Sequence, residues 1–99
     1  MIYLDNAATT KVNKKVLESM MPYFSEIYCN PSAAYSFATK GRIAIEEARN
    51  HAAKLIGASD MEIYFTSGGS ESDNWAIKAV AESFSDKGKH IITTKIEHH

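Results

Sequence analysis

A single cysteine, two prolines and a net charge of −1 in 99 residues leave several classes of protein out at once. Cys29 has no partner for an internal disulfide, so this is not a disulfide-stapled scaffold, and a lone thiol suits a reducing cytosol. Lys and Arg number 11 against 12 Asp and Glu, which leaves no basic footprint for nucleic acid and no charge reason to approach an anionic membrane. No apolar run approaches the roughly 18 residues that a spanning helix needs. Asp5 and Asn6 stand where a signal peptide would carry its apolar core, so export is not expected. There is no internal repeat and no low-complexity tract. Glu97, His98 and His99 do not read as a metal site, because neighbours on an extended chain point to opposite faces; no metal is expected.

The chain is 44% apolar, within the globular range, and its length allows one domain. Ile2-Tyr3-Leu4 is an extended start, followed by a small polar loop from Asp5 to Thr10. Asn13 is placed to cap a helix carrying Val16, Leu17, Met20, Met21 and Phe24 at helical spacing. Pro22 should kink or end that helix. Tyr28 to Ser32 reads as a turn, with Asn30 extended before Pro31. A long helix is predicted from about Ala34 to Ile56. Ala38, Gly41, Ile45, Ala48, Ala52 and Leu55 form its apolar stripe, and Lys40, Arg42, Glu46, Glu47, Arg49 and Asn50 its solvated face. Gly57 is placed to end it.

From Glu62 onward the pattern is strand, glycine turn, helix and strand. Glu62-Ile63-Tyr64-Phe65 and His90 to Thr94 are the strands, and a helix runs from about Ser70 to Phe84. Ser70 and Asp73 have the S-x-x-D form of a capping box. Together these make one βαβ unit with a right-handed crossover. One such unit leaves sheet edges and apolar faces open, so the chain reads as the first part of a larger α/β domain. Apolar faces left open would drive self-association of the 99-residue chain.

The stretch Thr66-Ser67-Gly68-Gly69-Ser70-Glu71-Ser72-Asp73-Asn74 carries the chemistry. Glycines let backbone approach a ligand, and a helix start offers free N–H groups at the positive end of its dipole. Such a site suits a phosphate. A Gly-Gly helix start is a weak signal alone, because such turns also serve only to relieve backbone strain. The six-position dinucleotide pattern and the Gly-Lys-Ser/Thr of a nucleotide P-loop are both missing. The amides of Gly69 and Ser70 with the Ser70 hydroxyl would suit a monoester. His98 follows the last strand, at the edge where open α/β sheets place ligands. His51 reads as a helix-surface residue, and Cys29 as a structural thiol with no predictable activating neighbour.

Several blocks now stand in order: Tyr3 to Thr10, Asn30-Pro31-Ser32, Glu47-Ala48-Arg49, Phe65 to Asn74, and Glu97-His98. This arrangement resembles the N-terminal quarter of the NifS/IscS-type cysteine desulfurases, pyridoxal-phosphate enzymes of the class V aminotransferase, fold type I group. The resemblance implies an α/β fold: the N-terminal part of the large domain, helices with an incomplete, mainly parallel sheet. Residues 1–12 would belong to the small domain and active-site mouth, and residues 13–99 to the start of the cofactor-binding large domain. It implies that Gly69 and Ser70 are phosphate-cup positions, the hydroxyl residue usually being threonine in the family. His98 matches the histidine that stacks on the pyridine ring and helps move protons. Two positions depart from the pattern: Tyr35 falls near a usual histidine, and Ala38 near a usual glycine.

In that family the cofactor acts as an electron sink while an enzyme thiolate takes the sulfur of L-cysteine, leaving L-alanine and a persulfide for iron–sulfur or thiolation acceptors. The Schiff-base lysine and persulfide cysteine lie well downstream of Glu-His and match nothing within residues 1–99. The resemblance thus implies a homodimeric cytoplasmic parent enzyme, and a 99-residue chain that is inactive and binds the cofactor weakly or not at all. Another class V aminotransferase, a selenocysteine lyase, a non-catalytic interaction module and an α/β piece that binds nothing all stay open at this point.

Overall fold

The computed structural model describes residues 2–97, and those residues form four α-helices and one 3₁₀ turn. They fall into two compact units, one ending at Ile63 and one beginning at Tyr64.

In the first unit, helix α1 (Lys14–Met20) starts where the sequence places its cap. Asn13 is extended, and its side-chain oxygen accepts from the Lys15 amide at 2.9 Å. Pro22 restarts the chain as the short α2 (Pro22–Ser25), a position where its missing N–H costs nothing. The Asn30 carboxamide accepts from the Ser32 amide at 3.0 Å and turns the chain. Tyr28 meets Phe37 edge-on, with ring centroids 6.0 Å apart. Helix α3 (Ala38–Ile56) begins four residues later than predicted, after a turn through Ala34–Phe37. Gly57 ends it at φ 69° and ψ 28°, a left-handed conformation that favours glycine.

The stripe on α3 is only partly realised. Ala38 and Ala53 are the buried apolar residues among those described, whereas Ile45, Ala48 and Leu55 are exposed. The expected solvated face also has exceptions: Arg49 and Asn50 are half-buried, and the Arg49 guanidinium donates to the Ile63 carbonyl. That bond ties the centre of α3 to the residue that closes the 3₁₀ turn Asp60–Glu62. Ser59 opens this turn: its hydroxyl accepts from the Met61 amide at 3.3 Å, and its own amide donates to the Glu62 carboxylate at 2.7 Å. This S-x-x-E capping box takes Glu62 out of the strand predicted for residues 62–65.

The second unit contains helix α4 (Gly69–Ser83), one residue displaced at each end from the prediction. Its apolar residues remain at the surface. Ile77, Val80, Phe84 and Ile91, with Lys87 and His90, line a cleft of about 820 Å³. The Lys87 ammonium sits 4.8 Å from the centre of the Phe84 ring.

The sheet expected from the sequence is not present among the described residues. Neither 62–65 nor 90–94 forms a strand, and no ladder exists to which a crossover hand could be assigned. A strand is defined by hydrogen bonds to a neighbour rather than by its own residues, and a parallel pair is the weaker arrangement per residue. Ile63 is nevertheless extended, at φ −99° and ψ 125°. Among the described residues, no helix is long and apolar enough to cross a membrane.

Candidate functional site: the glycine turn before α4

The site is built on the second unit. Tyr64 and Trp75 pack edge to face, with centroids 5.2 Å apart, so the segment entering the turn is held against the helix leaving it. Between them the backbone passes Gly68 in a fully extended conformation, φ 162° and ψ −179°. That geometry is open to any residue. A Cβ added at either Gly68 or Gly69 would meet no atom within 4 Å. Relief of strain therefore does not explain this pair of glycines, and the space beside both is open to a close neighbour.

Side chains hold the turn in shape. The Glu71 carboxylate accepts from both the Ser67 amide, at 2.7 Å, and the Ser67 hydroxyl, at 2.6 Å. The Ser67 hydroxyl first, and its amide second, hold the Glu71 carboxyl below the 4.5 of an unperturbed glutamate. The Gly68 carbonyl faces the Thr66 hydroxyl at 3.2 Å, the Ser72 hydroxyl at 3.3 Å and the Ser72 amide at 3.2 Å. Thr66 and Ser72 are themselves 2.6 Å apart, hydroxyl to hydroxyl. Each hydroxyl has one proton, so these three side-chain contacts share two donors.

These bonds leave the first turn of α4 free. The amides of Gly69, Ser70 and Glu71 precede the first intrahelical donor, Ser72, and point out of the helix start. The Ser70 hydroxyl is exposed beside them. The capping box expected between Ser70 and Asp73 does not form: Gly68 is the cap, and Ser70 is already inside the helix. Sequence reasoning missed the Glu71–Ser67 pair that replaces it. The signal was the spacing S-x-x-x-E, one residue longer than the usual box.

His98, the other residue singled out in the sequence, lies outside the described residues, as does His99. His51 is exposed on α3 as expected, and Cys29 is a half-buried free thiol. Among the described residues no group of His, Cys, Asp and Glu converges as a metal site.

An unstrained glycine pair therefore opens a helix whose first amides are free beside an exposed hydroxyl. The chain belongs to the class-V aminotransferase family, whose profile matches residues 2–99. Within that family its similarity is to cysteine desulfurases. It is 56% identical over 98 residues to "Cysteine desulfurase IscS" of Methanosarcina thermophila, covering 99% of this chain and 24% of that protein. The protein of the same description from Dictyoglomus turgidum is 57% identical over 98 residues, covering 99% of this chain and 25% of the relative. A solved structure described as a NifS-like protein superposes with a TM-score of 0.89 at 45% identity, over 98% of this chain and 27% of that one. The chain thus spans about a quarter of the length of the curated relatives it matches.

The family is pyridoxal-phosphate-dependent in general, and the donor set fits the phosphate end of that cofactor. Backbone amides, a hydroxyl and the positive end of a 15-residue helix favour a phosphate monoester without a side-chain cation.

Proposed function

We propose that this chain supplies the phosphate seat of a pyridoxal-phosphate-dependent cysteine desulfurase, and that the whole protein converts L-cysteine to L-alanine with transfer of sulfur to an enzyme thiol. The observation that carries the reading is the outward-facing first turn of α4, where the Gly69 and Ser70 amides and the Ser70 hydroxyl are free. These groups would bind and orient the phosphate, and the unsubstituted Gly69 would let the backbone come close to it. His98 would stack on the pyridine ring and hold a proton near it. When bound, the cofactor supplies the electron sink for chemistry at the substrate's α-carbon.

Family membership supports the remaining features of the proposal. Residues 1–12 would line the mouth of the site with the smaller domain. Residues 13–99 would begin the large domain, with 62–65 and 90–94 entering a parallel sheet once neighbouring strands are in place. The protein would act as a cytoplasmic homodimer and pass its persulfide sulfur to an acceptor protein serving iron–sulfur or thiolation pathways. Without the Schiff-base lysine and the persulfide cysteine, the 99-residue chain alone should release no alanine from cysteine.

The test uses the complete gene product. Titration with pyridoxal phosphate and with pyridoxal, followed by cofactor absorbance, should show strong preference for the phosphorylated form. Ser70→Ala should weaken that form by about tenfold, the loss of one hydrogen bond to a charged group. Indifference to the phosphate, or alanine release by the 99-residue chain, would overturn the reading.

A further inference from the structure

We infer that Glu71 is a positioning residue for the phosphate seat: by clasping Ser67 from the far side of the glycines it holds the free amides of α4 outward. The inference rests on the reading of the turn as a phosphate seat, and it concerns a residue that would not itself touch the cofactor.

A carboxylate in the first turn of an anion-binding helix is at first sight the wrong charge. It would repel a phosphate, or occupy the same amides in its place. The geometry resolves the conflict. Both acceptor bonds of the Glu71 carboxylate go to Ser67, one to its amide at 2.7 Å and one to its hydroxyl at 2.6 Å. Ser67 precedes the glycines, so these bonds consume nothing from Gly69 or Ser70. The charge is also directed back along the chain, at donors that a phosphate would not use.

The clasp matters because the other restraints on the turn, the Tyr64–Trp75 pair and the Thr66 and Ser72 hydroxyls, act away from Gly69. No residue from Ser67 to Lys78 is buried, so apolar packing does not fix the glycines. The parallel contacts of Thr66 and Ser72 with the Gly68 carbonyl restrain only one peptide group. Glu71 spans both glycines and closes the loop between Ser67 and the helix. Without it, Gly68 and Gly69 regain the backbone freedom that glycine alone possesses, and the amides must be reordered each time a phosphate binds.

The complete gene product is compared with its Glu71→Ala and Glu71→Gln variants. Glu71→Ala should bind pyridoxal phosphate about fivefold more weakly, as for loss of a helix-start side-chain bond, with pyridoxal affinity unchanged. Glu71→Gln keeps an acceptor oxygen for the Ser67 amide and should recover most of the loss. The phosphorus NMR resonance of the bound cofactor should move in Glu71→Ala and return in Glu71→Gln. Equal weakening toward both ligands would mark general destabilisation and overturn the inference. Tighter phosphate binding by Glu71→Ala would overturn it differently, by showing that Glu71 competes for the amides. Ser70→Ala in the same titration separates the two layers. If Ser70→Ala loses phosphate affinity while Glu71→Ala does not, the seat stands and the role of Glu71 falls. If neither variant changes affinity and wild type ignores the phosphate, both fall together.

Discussion

Each compact unit contains a turn closed by its own side chains, and the two differ in what else holds them. In the unit that ends at Ile63, the 3₁₀ turn is capped by Ser59 and Glu62, and the Arg49 guanidinium on α3 grips its last carbonyl. Ala38 and Ala53 are buried on the same helix. In the unit that begins at Tyr64, the glycine turn is held by exposed polar bonds and one aromatic pair, with no buried residue behind it. A turn pinned to a neighbouring helix serves architecture. A turn fixed by its own side chains can leave its amides facing out, as a ligand seat requires.

This contrast predicts different responses to substitution. Ala53 is 2% exposed, so Ala53→Leu should cost about 1–3 kcal/mol by overpacking, read as a lower urea midpoint. The equivalent change in the second unit, Ala76→Leu, lies on an exposed face and should stay within about 0.5 kcal/mol in the 99-residue chain. Equal effects would erase the distinction. Gly57→Ala forces a side chain into the left-handed region at φ 69° and should cost about 1–2 kcal/mol. Gly68→Ala, at an extended position with open space around it, should leave the melting temperature unchanged and instead weaken phosphate binding. Ser59→Ala removes the capping hydroxyl and should cost about 1 kcal/mol.

The smallest effect concerns pH. The Glu71 carboxyl is held below its ordinary 4.5. Its stabilising contribution is therefore present in full above that ordinary value and is lost as pH falls through the lowered one. The carboxyl is solvent-exposed, so global stability should barely register the change. The Ser67 amide resonance should follow it during acid titration, and Glu71→Gln should abolish the titration of that resonance.

Much of this was legible in the chain. Asn13, Pro22 and Gly57 mark helix boundaries because caps, fixed φ and left-handed glycine act within a few residues. The glycine turn and the free helix start behind it were visible for the same reason. Ser59–Glu62 was equally local and was passed over because Glu62 also suited a strand. The Ser67–Glu71 pair sits at an unusual spacing, and Ser70 with Asp73 offered a more familiar one. Arg49 looked like one more charge on a solvated face; only the approach of Ile63 from a distant part of the chain gives it a partner.

Residue order alone decided the cap at Asn13, the restart at Pro22 and the stop at Gly57, and that a glycine pair opens α4 beside a serine. Those outcomes depend on backbone sterics and on hydrogen bonds spanning a few positions. Folding in three dimensions decided which alanines of α3 are covered, what Arg49 holds, and that 62–65 and 90–94 carry no ladder among the described residues. Burial and strand pairing are relations between segments far apart in the chain, and no segment contains its partner.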